Sequence, residues 1–302
     1  MKVNIFCCML MIYSGVGFAN PNDNPLAQIK GDFKLTLSER PNVPYQSLNN
    51  YNSSLTASGS GTDYIIPVSR HHIIPFGVLR SFYNKVAENN RLRSLSGFLN
   101  SFSSSLSFYA ASNGANCASF GNDLIDAGNL AQGQAFGLTR AAALSSNAPL
   151  GFATFEEFYA WLPGNLFIGP TNRIDDPQSG FEVSSRTIVG EDTYTTLFRA
   201  YNNMQNYINT GDASLLNSIS ADLTNISKRK SIYPLQSEHW EVRKDAEGKY
   251  VYNIRKTSKS LNAISQVDNE ALSEECSDMR PTLMKYLYLS VFPDNATNNG
   301  EL

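Results

Sequence analysis

The tightest constraint on this chain lies at its start. After Met1 and Lys2 comes an apolar run over residues 5–16, then Gly17-Phe18-Ala19 ahead of the polar Asn20-Pro21-Asn22. One positive charge, about a dozen apolar residues and small residues at the minus-three and minus-one positions read as a secretory signal cleaved after Ala19. The run is too short to cross about 30 Å of hydrocarbon as a helix. No later stretch approaches the apolar length a span needs, so the remainder must bury its own core in water. The expectation is an exported domain, secreted or periplasmic, with no membrane span after signal cleavage. A retained, uncleaved anchor is the alternative.

About 280 residues remain, enough for one large domain or one domain with additions. Of four cysteines, Cys7 and Cys8 fall in the signal, leaving Cys117 and Cys276. In an oxidising compartment these form one disulfide, closing a loop of about 160 residues worth about 4–5 kcal/mol in the chain-entropy model. Two separately buried thiols are the other reading. A net charge of −3 argues against a surface coated in positive charge. Residues 228–259 nevertheless carry nine Lys and Arg against four acidic residues. That stretch reads either as a local phosphate track or as a solvated hairpin face.

Residues 20–62 are rich in Asn, Ser, Pro and Gly and read as a partly ordered N-terminal segment, with an alternating stretch at 32–37 that fits a strand. The β-branched stretch 64–68 runs into Ser69-Arg70-His71-His72-Ile73-Ile74-Pro75, a short strand or loop. Val78, Leu79, Phe82, Tyr83 and Val86, then Leu92, Leu95, Phe98, Leu99 and Phe102, recur at helical spacing, as two helices or one broken one. A weaker helical region spans about 117–144. Thr154 and Glu157 resemble a capping box opening a helix through Trp161. Residues 165–170 read as a short apolar strand, followed by a polar turn at 171–177. Helices are expected at about 192–208 and 213–226, and alternation on both sides of Ala246-Glu247-Gly248 marks a hairpin. A last helical run covers 283–291. The sum is an α+β chain, mostly helical, with a C-terminal β-hairpin.

Only three histidines are present, and two are neighbours. On an extended segment His71 and His72 point to opposite sides. One can then bind a metal while the other faces a substrate water, since neutral imidazole is a good ligand and, near its usual pKa of about 6.5, a good general base. Loop histidines that are partly exposed, or one packed and hydrogen-bonded, are the structural alternative.

Arg70-His71-His72-Ile73-Ile74-Pro75, followed by a helix, resembles the His-His-x-x-Pro signature of the HNH, or ββα-metal (His-Me finger), endonuclease superfamily, which includes colicin-type DNases and many bacterial toxin domains. Asn165-Leu166-Phe167-Ile168-Gly169-Pro170, followed by Arg173-Ile174-Asp175-Asp176, is similar to that family's second strand and ligand turn. The resemblance implies a finger assembled from about 64–80 and 163–180. In it His71 would bind a single divalent metal, His72 would be the general base and Asn165 would hold the base loop. Asp176, Asp175 or Asn172 would stand where the family has a final His or Asn. Carboxylate ligation favours Mg²⁺ or Mn²⁺, with Zn²⁺ also open. His72 and Asn165 are 93 positions apart, wider than the family spacing, so residues 85–160 are expected to be a helical insertion. The organisation implied is a signal at 1–19, the N-terminal segment at 20–62, an HNH-like domain at 63–295 and a tail at 296–302.

The implied reaction is phosphodiester hydrolysis in DNA or RNA. Arg173 or Arg70 would clamp the scissile phosphate, unless Arg173 is tied up in an ion pair with Asp175 or Asp176. An inhibitor (immunity) protein is an implied partner. Two other readings compete. One is an exported, non-catalytic interaction protein that keeps the finger as a scaffold. The other is a hydrolase with a Ser or Cys nucleophile, for which the sequence lacks support: Ala57-Ser58-Gly59-Ser60-Gly61 has no leading glycine, and neither mature cysteine has a local signature. His239, beside Trp240, reads as structural.

Overall fold

The computed structural model describes residues 34–137, 148–256 and Cys276. The signal expected at 1–19, the helical run expected at 283–291 and the tail assigned to 296–302 lie outside the described residues, as do Lys259 and the end of the region expected to be helical to 144.

Apolar residues three and four apart turn one face of each amphipathic helix inward. Helix α1 (Phe76–Glu88) buries Leu79, Phe82, Tyr83 and Val86. Helix α7 (Glu191–Thr210) buries Leu197, Ala200, Met204 and Tyr207, and α8 (Leu216–Ser227) buries Leu216, Ile219, Leu223 and Ile226. Helices α2 (Ser96–Ser112) and α4 (Asp123–Phe136) pair differently, through small residues that let the backbones approach. Buried Ser103 donates to the Gly128 carbonyl at 2.8 Å, which satisfies a hydroxyl that would otherwise be costly to bury. The short helix α3 (Cys117–Phe120) carries Cys117, bridged to Cys276 with a Cα–Cα distance of 5.5 Å. The bridge removes the thiol-nucleophile reading.

Helix α5 (Phe152–Ala160) starts two residues before the expected cap. Gly151 occupies the N-cap at φ +75, and Thr154 lies buried inside the first turn. A Cβ on Gly151 would run into the backbone of Ala127 in α4, so only glycine permits this approach. Tertiary packing here overrides the Thr154/Glu157 cap pattern.

Three two-stranded antiparallel sheets accompany the helices among the described residues: β1 (Asn50–Tyr51) with β2 (Ser58–Gly59), β3 (Val68–His72) with β4 (Leu166–Pro170), and β5 (Trp240–Lys244) with β6 (Tyr250–Ile254). The last pair is the expected hairpin. A short α6 (Arg186–Val189) precedes α7. The fold is mixed α+β and mostly helical.

Residues 34–37 are not a strand. Their backbone bonds go to side chains instead: Leu35 N–H donates to Asn84 Oδ1 (2.8 Å), Asn84 Nδ2 donates to Leu35 O (2.9 Å), and Thr36 N–H donates to Glu156 Oε1 (2.7 Å). The helices between β3 and β4 share one core with the rest. Tyr109 donates to the Ser227 carbonyl (2.5 Å), Ser101 and Ser227 hydroxyls pair (2.7 Å), and Phe102, Phe155 and Tyr159 are buried together. Among the described residues, no helix is long and apolar enough to cross a membrane.

Candidate functional site

The register of β3 with β4 sets the site. His71 lies opposite Phe167 and His72 opposite Leu166, and strand alternation sends the two imidazoles to opposite faces. Beyond His72 the chain turns into α1 through Ile73-Ile74-Pro75, and Asn165 holds this turn. The Asn165 carbonyl accepts from Ile73 N–H (3.0 Å), its Oδ1 accepts from Ile74 N–H (2.7 Å), and its Nδ2 donates to Ile74 O (2.8 Å). Glu182 N–H closes the set by donating to Ile73 O (3.0 Å). Asn165 is 1 % exposed, so no water competes for these bonds.

His71 stacks on Phe167 at 5.2 Å between ring centres. Its Nε2 lies 3.2 Å from the Pro170 carbonyl and 3.1 Å from Ser69 Oγ. Bonded to that carbonyl, Nε2 carries the proton and Nδ1 has the lone pair; in the other tautomer Nε2 accepts from Ser69 and Nδ1–H points to Asp176. His71 Nδ1 lies 3.4 Å from Asp176 Oδ2. Burial and the Arg173 charge push the His71 pKa down to about 4, against the pull of Asp176. With the proton on Nε2, the Nδ1 lone pair and the Asp176 carboxylate face each other, an arrangement that can accommodate a shared cation. Cis ligands of an octahedral ion with bonds of about 2.1 Å stand roughly 3 Å apart. His71 and Asp176 thus fit as two donors for Mg²⁺ or Mn²⁺, which commonly take one or two protein ligands and complete their shells with water and phosphate oxygens. No group of three His, Cys, Asp or Glu side chains occurs among the described residues.

His72 faces the other way. Its Nε2 donates to the Ala160 carbonyl at 2.9 Å, which leaves Nδ1 as the free acceptor. The ring packs on Trp161 (4.7 Å) and Phe76 (5.5 Å). Burial is the main cause that lowers its pKa, to about 3, and the charges of Arg40, His71 and Arg80 act in the same sense. An edge of the ring remains on a cleft of about 1320 Å³ bounded by the N-terminal segment, β3, the start of α1 and the turn after β4.

The structure separates Asp175 from Asp176. Asp175 Oδ1 accepts from Arg173 Nε (3.1 Å) and Oδ2 from Ile254 N–H (2.9 Å), so both oxygens are spent on tying the turn to β6. Asn172 is likewise turned to the hairpin, donating to Tyr250 O at 2.5 Å. Arg173 is enclosed, with its Nη1 2.8 Å from Glu182 Oε2 and its guanidinium stacked against Phe167 and Trp240. Of the two readings given for Arg173 above, the geometry has the ion pair, in place of a free phosphate clamp. Arg70 donates to Gln46 O (2.6 Å) and lies over Tyr45. Gly169 completes the local packing: a Cβ there would stand 2.5 Å from the Trp240 ring and 3.2 Å from His71.

Sequence reasoning did not single out Arg40, Phe76, Trp161 or Glu182. Only Phe76 carried a local signal, its place directly after Pro75. His239 is buried at the base of the hairpin, away from the cleft residues. The basic stretch divides: Lys228 bonds Asn225, Arg229 covers Tyr233, and exposed Arg243 pairs with Glu241 on the hairpin, as a solvated face would.

Fold and site together define an α+β chain in which an antiparallel strand pair, a histidine doublet and a carboxylate turn border a cleft. The chain is 31 % identical over 209 residues to protein p9 of Acyrthosiphon pisum secondary endosymbiont phage 1, an alignment covering 65 % of this chain and 54 % of p9. The chain thus spans about half the length of this relative. No protein-family model and no solved structure matches it.

Proposed function

We propose that the cleft hydrolyses phosphodiester bonds in DNA or RNA as a metal-dependent endonuclease of HNH type, working outside the cytoplasm. The observation that carries the reading is His71 Nδ1 held 3.4 Å from Asp176 Oδ2, with His72 on the opposite face of the same strand bonded through Nε2 to Ala160 O, which leaves its Nδ1 as acceptor. The Cys117–Cys276 bridge supports an oxidising compartment.

A divalent ion on His71 and Asp176 would supply Lewis-acid stabilisation of the phosphate charge. The protein does the rest. His72 Nδ1 accepts the proton of the attacking water, and the Nε2–H bond to Ala160 O fixes the tautomer and holds the ring against rotation. In the free protein this imidazole is a weak base; the negative charge of a bound phosphate raises its proton affinity. Asn165 positions the turn that follows His72, so strand and helix keep a fixed relation across the site. Arg173 shapes the metal side indirectly, by holding Asp175 and Glu182 and so the turn that carries Asp176.

The test is cleavage of plasmid DNA and total RNA by the purified protein in Mg²⁺, Mn²⁺ or Zn²⁺. Cleavage is expected with at least one of these metals, none in EDTA, and His71→Ala and Asp176→Ala should each bind Mn²⁺ more weakly. A folded protein that cuts neither substrate with any metal would move the reading to a non-catalytic interaction protein built on the same scaffold.

A further inference from the structure

Among the described residues, Arg40 is the cleft arginine held by aromatic rings alone. Arg70 donates to Gln46 O and lies over Tyr45, Arg173 pairs with Asp175 and Glu182, and Arg80 donates to carbonyls of the N-terminal segment; Nε of Arg70, Nε of Arg80 and Nη2 of Arg173 make no hydrogen bond and are buried. The Arg40 guanidinium has no hydrogen bond or carboxylate among the described residues. It lies 4.5 Å from the centre of Trp161 and 5.5 Å from that of Phe76, the same two rings that flank His72 at 4.7 and 5.5 Å. A cation and a general base thus share one aromatic wall of the cleft.

The backbone around Arg40 is fixed from both sides. Buried Arg80 donates through Nη1 to Thr36 O and Glu39 O, and Trp161 Nε1 donates to Pro41 O at 3.0 Å. Further along, Asn42 Nδ2 donates to Glu157 Oε1 (3.2 Å) and Tyr45 donates to Trp161 O (2.8 Å). A segment whose composition reads as partly ordered is therefore a strap laid over α1 and α5, and Arg40 is what it delivers to the cleft.

We propose that Arg40 is the phosphate-binding residue of this site, donating to the non-bridging oxygens of a nucleic-acid phosphodiester beside His72, and that residues 35–46 are a working part of the site. The proposal rests on the phosphodiesterase reading for its substrate, while the binding itself is measurable without catalysis. Arginine suits the task because its planar fork matches two phosphate oxygens and its charge persists at any working pH.

Trp161 supplies the readout, since an anion drawn to Arg40 alters the field over the indole. Inorganic phosphate, and separately a short oligothymidylate, would be titrated in EDTA against wild type, Arg40→Gln and Arg40→Lys, following tryptophan fluorescence, with acetate at equal ionic strength as control. Arg40 is exposed, so the variants should fold as wild type does. Wild type should show a saturable change with oligothymidylate, weakened about tenfold to a hundredfold in Arg40→Gln and less in Arg40→Lys. No saturable change in folded wild type, or an Arg40→Gln curve matching it, overturns the proposal. In Mn²⁺, kcat/KM of Arg40→Gln should fall by a similar factor with Mn²⁺ affinity unchanged. Arg40-dependent binding in a protein that cuts nothing would sink the nuclease reading and leave the subsite standing. Cleavage with unchanged binding in Arg40→Gln would do the reverse.

Discussion

At the scale of single residues, Asn165 and the two histidines carry the account. Asn165→Ala strips partners from the buried N–H and C=O of Ile74 together, at about 1–3 kcal/mol for each unpaired group. A loss of about 2–4 kcal/mol is expected in urea unfolding. Asn165→Asp should recover only the bond from Ile74 N–H, because a carboxylate cannot donate to the carbonyl. The histidines fix the acid limb of stability. Their folded pKa values, about 4 for His71 and about 3 for His72, lie below the unfolded value near 6.5. Between these limits the unfolded chain binds more protons, so stability is whole above pH 6.5 and drains as pH falls towards 3. The slope is at most about 1.4 kcal/mol per pH unit for each ring, and less where an edge meets the cleft. Urea midpoints measured from pH 7 to 4 should show this fall, and it should be shallower in His72→Phe.

At the scale of elements, the turn that carries Asp176 depends on the buried ion cluster of Arg173, Asp175 and Glu182. Burial raises the Glu182 carboxyl above its usual range even with the guanidinium beside it, so removing the arginine leaves an uncompensated carboxylate in the interior. Arg173→Ala should cost about 3–5 kcal/mol in chemical denaturation and loosen the turn carrying Asp176. A free phosphate clamp would instead leave stability unchanged on its removal. Much at this scale was legible in the sequence: α1, α7 and α8 each carry one apolar stripe, β4 is a short apolar run, and the β5–β6 hairpin alternates around Gly248. The strand expected at 32–37 misled because its alternation has another cause. Leu35 is buried beneath the strap, Lys34 pairs with Glu88, and Leu37 stays exposed. Gly151 as the start of α5 was illegible, since its requirement comes from Ala127 of a different helix.

At the scale of the whole molecule, the disulfide joins Cys117 to a residue 159 positions away, a loop long enough to be worth about 4–5 kcal/mol in the chain-entropy model. Cys117→Ser, or reduction of the bridge, should lower the thermal midpoint by about 8–20 °C, read by calorimetry with and without reductant. The candidate site was half legible for the same long-range reason. A doublet on a strand and an asparagine at the head of a second strand are local patterns, and the structure brings them together across the sheet. That Asp176 reaches His71 while Asp175 turns to β6 depends on where the hairpin packs, and that Arg40 reaches the cleft depends on contacts with Arg80 and Trp161, far along the chain. Neither is written in local spacing.

The most direct test of the central claim is cleavage of plasmid DNA and total RNA by His72→Ala beside wild type, in Mg²⁺ and in Mn²⁺, with both proteins shown to be folded and to bind Mn²⁺ alike. Removal of a general base predicts a loss of about 10²–10⁴-fold in kcat with metal affinity kept. Equal cleavage by the two proteins would contradict the assignment of His72 as the base.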